Sequence, residues 1–189
     1  MEKNVIIISG HAGVGKSTLA LSISRKYKMK FYTGSDFFKE IARKHGYKPV
    51  GKGWWDSREG LKFLQERKTN PEIDKEVDKK MMQKAKEGNV VVTSWTLPYL
   101  GADGIKIFIA ASQEERAKRI SKRDGIPISE AMEIVRERDK ENKTLYKKIY
   151  NFNLGDDLDV FDLVLNTNGM SIKEVQGAIV KFLGKKTSF

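Results

Sequence analysis

Val5-Ile6-Ile7-Ile8-Ser9 is an unbroken, mostly apolar run closed by Gly10, the pattern of a short strand buried on both faces. From about Lys16 to Tyr27 the pattern changes: Leu19, Ile23 and Tyr27 recur every fourth residue, which predicts a helix. Phe31-Tyr32-Thr33, closed by Gly34, predicts a second strand. A helix from about Asp36 to His45 follows, with Ser35 as its N-cap and Phe37, Phe38, Ile41 and Ala42 on one face. Gly46 to Asp56 is rich in Gly, Pro, Lys and Trp and reads as a loop, after which Ser57 opens a helical stretch to about Arg67. Asn70-Pro71 starts the next helix, with Ile73, Val77 and Met81 at spacing four, and Gly88-Asn89 stops it after about Lys86.

Val90 to Thr93 and Ile105 to Ile109 are two further strands. Ser112 with Glu115 predicts a capping box for a helix to about Lys122, and Asp124-Gly125-Ile126-Pro127 a turn. Ser129 then caps a basic helix reaching about Tyr150. Phe161 to Leu165 is a fifth strand, and Ser171 with Glu174 a second capping box, for a closing helix that carries Val175, Ala178, Ile179, Phe182 and Leu183. Strands alternating with helices predict parallel βαβ units, hence an α/β fold with a mostly parallel sheet covered on both faces. Ligands of such sheets sit at the carboxyl ends of the strands.

Composition narrows the classes. The 189 residues, 39% hydrophobic and 32% charged, suit one compact domain with a buried core. The longest apolar runs, Val5 to Ile8 and Ile105 to Ala111, fall far short of the roughly 20 residues that span a bilayer. The first residues lack the h-region and cleavage site of a signal peptide, so a cytoplasmic location without a membrane partner is expected. With no Cys, disulfides, thiolate nucleophiles and Cys-based zinc sites are excluded. The net charge of +11 favours polyanions, but acids and bases are interleaved, as in Glu114-Glu115-Arg116-Ala117-Lys118-Arg119, which is the pattern of solvated helix faces.

The chemistry begins at Gly10-His11-Ala12-Gly13-Val14-Gly15-Lys16-Ser17, followed by Thr18. It fits G-x-x-x-x-G-K-[ST] at every specified position and lies between a predicted strand and a predicted helix, as a phosphate-binding loop requires. Its glycines let successive N–H groups turn inward, Lys16 reaches the β- and γ-phosphates, and the Ser17 hydroxyl is placed to ligate Mg2+. The loop serves many NTPase classes. No guanine-reading N-K-x-D follows, and the third strand ends in Thr93-Ser94 rather than the Asp of a motor ATPase.

With the loop as first landmark, the order Thr33-Gly34-Ser35-Asp36-Phe37-Phe38-Lys39, Asn70-Pro71-Glu72-Ile73-Asp74, Arg116 through Gly125, Leu145 through Tyr150 and Phe161 through Thr167 resembles a nucleoside monophosphate kinase of the P-loop superfamily. It is most similar to the archaeal cytidylate kinase family, from Val5 to about Leu183. The resemblance implies one P-loop kinase domain over residues 1–189, with a five-stranded parallel sheet of order 2-3-1-4-5. It implies an acceptor-binding segment at about 34–68, a lid at about 116–143, and a monomer or homodimer. The implied reaction moves the γ-phosphoryl of ATP to a nucleoside monophosphate, CMP or dCMP, with Mg2+.

The implied catalytic groups are Lys16, Arg119, Arg123 and Arg138, with Arg119 stacking on adenine and Arg123 reaching the transferred phosphoryl. For each lid arginine a surface ion pair, such as Arg123 with Asp124 or Arg138 with Glu141, is the alternative. Asn166 and Thr167 fall where the family passes the adenine. On the acceptor side the chain departs from the family: Lys39 stands where Arg is usual, with Arg43 one turn on, and Thr93-Ser94-Trp95 replaces an acidic or Arg-bearing stretch. Asp36, Lys39, Arg43, Arg58 and Trp95 are the acceptor-binding candidates, Trp95 either stacking on a base or packing between sheet and helix. The same two readings apply to Trp54 and Trp55. A second reading keeps phosphoryl transfer but takes another nucleotide or a small hydroxyl metabolite as acceptor, and for a hydroxyl acceptor Asp36 or Asp56 would be the candidate base. A non-catalytic protein that binds nucleotide or nucleic acid is the third reading, supported by the net charge and by the tryptophans as candidates for exposure.

Overall fold

The computed structural model describes residues 4–51, 54–55 and 57–186. Among them run five strands, β1 (Val5–Ser9), β2 (Lys30–Thr33), β3 (Val90–Thr93), β4 (Ile105–Ala110) and β5 (Leu163–Asn166). The helices are α1 (Lys16–Lys26), α2 (Gly34–Lys44), α3 (Arg58–Thr69), α4 (Glu72–Glu87), α5 (Gln113–Asp124), α6 (Ile128–Tyr150) and α7 (Ile172–Leu183). All strand pairings are parallel and the order is β2-β3-β1-β4-β5, the order implied by the resemblance.

The alternation of side chains along β1 divides the core in two. Val5 and Ile7 face one layer, where Phe37 and Ile41 of α2 and Ile73, Val77 and Met81 of α4 pack. Ile6 and Ile8 face the other, against Leu19 and Ile23 of α1 and Val175, Ile179 and Leu183 of α7. Central strands buried on both faces explain why β1 and β3 read as continuous apolar runs. The register sets Ile8 beside Thr93 and Ser9 beside Phe108, so the carboxyl ends of β1, β3 and β4 open on one edge. A smaller cluster of Ala117, Ile120, Ala131 and Val135 joins α5 to α6.

Three helix starts differ from the sequence expectation. Thr33, not Ser35, caps α2, in a full capping box with Asp36, because β2 passes into the helix without a connecting residue. Ser112 caps α5 by accepting from the Glu115 N–H, but the box is not closed. The Glu115 carboxylate pairs with Lys118, and the Ser112 N–H donates instead to Asn168. Helix α6 starts at Ile128 behind Pro127, whose carbonyl accepts the first helical bond from Ala131, so Ser129 lies inside the helix and does not cap it. The box predicted at Ser171 and Glu174 is present.

Candidate active site at the strand ends

The phosphate loop leaves β1 at Gly10, whose φ is 141°. A Cβ there would lie 2.3 Å from the Ile109 carbonyl oxygen, so only glycine fits against the neighbouring strand. The loop ends at Gly15, the left-handed N-cap of α1. That helix has neither a side-chain cap nor an acidic residue in its first turn, so nothing from the helix competes with an anion for the positive end of its dipole. Ser17 and Thr18 are exposed on this first turn.

Lys16 folds back over the loop, its Nζ donating to the carbonyls of Gly10 at 2.7 Å and His11 at 2.8 Å. Burial, reinforced by the nearby Arg116 and opposed by Asp139, pushes its pKa down to about 7. Trp95, just beyond β3, lies on the same loop: its indole N–H donates to the Gly10 carbonyl at 2.7 Å, and the Lys16 ammonium sits 5.3 Å from its ring centre. Sequence reasoning placed Trp95 with the acceptor residues; its hydrogen bond here is to the phosphate loop.

Behind the loop is a buried ion pair that the sequence reading missed. Arg116 of α5 makes two hydrogen bonds to Asp139 of α6, at 2.8 and 2.6 Å, and a third to the Ala12 carbonyl at 3.2 Å. Burial opposes the Asp139 charge, but the Arg116 and Gln113 hydrogen bonds outweigh it and hold the carboxyl below its usual range. His11 stands 3.4 Å from Asp139, and burial lowers its pKa. Gly155 gives the imidazole room, since a Cβ there would lie 2.3 Å from Nε2. The partners are 23 residues apart in Arg116 and Asp139, so no local spacing announces the pair.

Arg119 lies one turn beyond Arg116 and also binds the loop. Its guanidinium donates to the Val14 carbonyl at 3.1 Å and to the Thr167 carbonyl at 2.7 Å. It borders a pocket of about 290 Å3 walled by Val14, Leu19, Met170, Ile172 and Val175, an apolar slot beside the loop at the small end of ligand-site sizes. Thr167 is buried and anchored to Ala110, while Asn166 is exposed and accepts from the Asn168 N–H. Arg123, at the end of α5, is 62% exposed and paired in two hydrogen bonds with Asp124. Arg138 of α6 is half-buried and adds to the field that keeps the Asp124 carboxyl below its ordinary range, after the larger effect of Arg123.

On the opposite side of the sheet edge, Lys39 of α2 donates to the Gly51 carbonyl at 2.9 Å. Arg43 on α2 and Arg58 at the start of α3 are exposed. Asp36 uses Oδ2 to accept from both the N–H and the hydroxyl of Thr33. Trp54 is buried against Phe63, and Trp55 donates to the Ser35 hydroxyl. Asp56 lies outside the described residues.

A second polar network, also unread in the sequence, lies between α3, α4 and α6. Arg67 makes three hydrogen bonds to buried Asp74, a fourth to the Tyr146 hydroxyl, and its guanidinium lies 4.5 Å from the Phe38 ring centre. One turn along α4, Asp78 accepts from the hydroxyls of Thr96 and Tyr150. Burial pushes its pKa up to about 6 against those two hydrogen bonds.

Known proteins resemble this chain in sequence and in fold. The model of the cytidylate kinase-like family matches residues 5–169. A cytidylate kinase of Pyrobaculum calidifontis is 36% identical over 95% of this chain and 92% of its own length. One from Staphylothermus marinus is 35% identical over 96% of this chain and 97% of its own length. Among solved structures, a shikimate kinase from Bacteroides thetaiotaomicron shares the fold with a TM-score of 0.62 at 14% identity, covering 96% of this chain and 98% of that one. From the phosphate loop through the fifth strand, the chain belongs to the cytidylate kinase-like family.

Proposed function

We propose that this protein transfers the γ-phosphoryl of ATP to a nucleoside monophosphate, CMP or dCMP, as a single kinase domain with its acceptor segment at about 34–68 and its lid at about 116–143. The observation that carries the reading is the phosphate loop, with Lys16 bonded to its Gly10 and His11 carbonyls and Arg119 to its Val14 carbonyl, in a chain matched through residue 169 by the cytidylate kinase-like family.

In this reading the α- and β-phosphates lie on the loop amides and the adenine enters the slot beside Arg119 and Thr167. Lys16 turns from its two carbonyls to the β- and γ-phosphates. The transition state of phosphoryl transfer spreads negative charge over oxygens, so placed cations are the main catalytic means. Arg123 reaches the transferred group only by leaving Asp124. An exposed pair of this kind is worth ~1 kcal/mol or less, so the exchange is inexpensive. Arg138, on the helix that returns from the lid, approaches with it.

Among the described residues no three His, Asp or Glu side chains cluster to hold a metal. The exposed Ser17 hydroxyl suits Mg2+, which keeps most of its water and takes its other ligands from phosphate oxygens. When bound, the ion neutralises phosphate charge. On the acceptor side Lys39, Arg43 and Arg58 supply the positive charge for the monophosphate. The tie between Asp36 and Thr33 leaves that carboxylate a capping role, which favours a phosphate acceptor over a hydroxyl acceptor that needs a base.

The test is ADP release from ATP and Mg2+ with each nucleoside monophosphate offered separately, and Lys16→Ala as control. Preference for CMP or dCMP with a dead variant is the expected result. Turnover with none of the monophosphates, while ATP still binds, overturns the reading.

A further inference from the structure

The Gly10 carbonyl carries two strong donors at once, the Lys16 ammonium and the Trp95 indole N–H, each at 2.7 Å. Lys16 has three N–H groups and commits two of them to the carbonyls of Gly10 and His11. To lie along a polyphosphate it must release at least one. The Gly10 carbonyl belongs to a buried residue, so a donor that Lys16 withdraws has to be replaced from within the protein. A buried carbonyl stripped of its donor would lower nucleotide affinity roughly tenfold.

We infer that Trp95 is a positioning residue for the phosphate loop: its indole N–H keeps the Gly10 carbonyl bonded, so that Lys16 is free to move to the nucleotide. This rests on reading the loop as the nucleotide site. The indole is itself held in place. The turn that carries it is pinned by the Ser94 hydroxyl, which accepts from the N–H groups of Thr96 and Leu97 at 3.1 Å. On its far side the indole meets the Tyr146 ring of α6 edge-on at 5.8 Å, and the Tyr146 hydroxyl accepts from Arg67 of α3. The ring also lies close enough to the ammonium to attract it while it changes partners. Trp95 therefore touches the phosphate loop with one edge and, through Tyr146, the segment expected to hold the acceptor.

The variant Trp95→Phe keeps an aromatic ring and deletes the N–H. In the ligand-free protein Lys16 still bonds Gly10, so its melting temperature is expected to stay close to that of the wild type. In the ATP complex the carbonyl loses its last side-chain donor. ATP with Mg2+ and no acceptor, titrated calorimetrically, is expected to bind roughly fivefold to tenfold more weakly, with a smaller ATP-induced rise in melting temperature. A merely structural residue gives the opposite pattern, a lower ligand-free melting temperature with unchanged ATP affinity, and that result overturns the inference.

If the variant does not fold, the wild type decides. Among its three tryptophan indole N–H signals in a proton–nitrogen spectrum, one is expected to shift when ATP is added and to remain slow to exchange. Three unmoved signals overturn the inference. A wild type that binds no ATP removes the nucleotide reading itself, whereas equal binding by wild type and variant removes only the role of Trp95.

Discussion

Lys16 rests on the carbonyls of Gly10 and His11 with its pKa pushed down to about 7, chiefly by burial and secondarily by Arg116. In the unfolded chain a lysine titrates near ~10.4, so between about pH 7 and that value the unfolded state holds a proton that the folded state has released. The residue therefore lowers stability below pH 7, and that cost fades as pH rises. Nucleotide binding works in the other direction. Phosphate oxygens favour the ammonium and raise the pKa in the complex, so above pH 7 binding must take up a proton. Affinity for ATP should fall as pH rises from 7, by at most about tenfold per unit for one proton. Calorimetry at pH 8 in two buffers of different ionisation enthalpy should register an uptake approaching one proton. No uptake would mean that Lys16 is already charged in the free loop.

Two of the ion pairs on helices α5 and α6 differ in character. Arg116 is 3% exposed and Asp139 18%, whereas Arg123 and Asp124 are 62% and 38% exposed. Asp139→Ala would strand a buried guanidinium between the loop and α6, at an expected cost of about 3–5 kcal/mol in chemical unfolding. Arg123→Ala removes an exposed side chain from a solvated pair and should leave stability within ~0.5 kcal/mol, while kcat with CMP falls about a hundredfold or more if Arg123 stabilises the transferred phosphoryl. Equal loss of stability in the two variants would contradict this division.

The same helices show what was legible in the sequence. Their existence and the Ser112 cap followed from local spacing, as did β1, the phosphate loop and α1, because each depends on residues a few positions apart. What escaped the reading is non-local. Arg116 with Asp139, Arg67 with Tyr146, and Trp95 with Gly10 join residues 23, 79 and 85 positions apart, and only tertiary packing, of helices for the first two and of strand ends for the third, brings them together. Local competition accounts for the misplaced caps: Thr33 and Ser35 both offer a hydroxyl near Asp36, and the junction of β2 with α2 chooses Thr33.

Across the whole molecule, 36 Lys and Arg against 25 Asp and Glu leave a charge of +11, enough to draw any polyanion at low salt. Its arrangement decides what that attraction can achieve. Lys44, Lys75, Lys80, Lys84, Lys118 and Lys143 each have a carboxylate partner on the surface, spread over α2, α4, α5 and α6. These six charges are paired and dispersed. Lys16 and Arg119 instead converge on one loop beside a helix N-terminus, where fixed amides add to the attraction. The two modes respond differently to salt. Counterion release makes a diffuse contact with single-stranded RNA fall steeply, by about 300-fold or more between roughly 50 and 200 mM salt if six or more phosphates are engaged. On the proposed reading ATP offers only three phosphates, held partly by uncharged amides, and its binding should change by about tenfold or less over that range. Anisotropy of a labelled single-stranded RNA, run beside ATP titration of the same sample, separates the two. RNA binding that survives the higher salt while ATP binding is lost would reverse the assignment, making the surface rather than the phosphate loop the functional element of this chain.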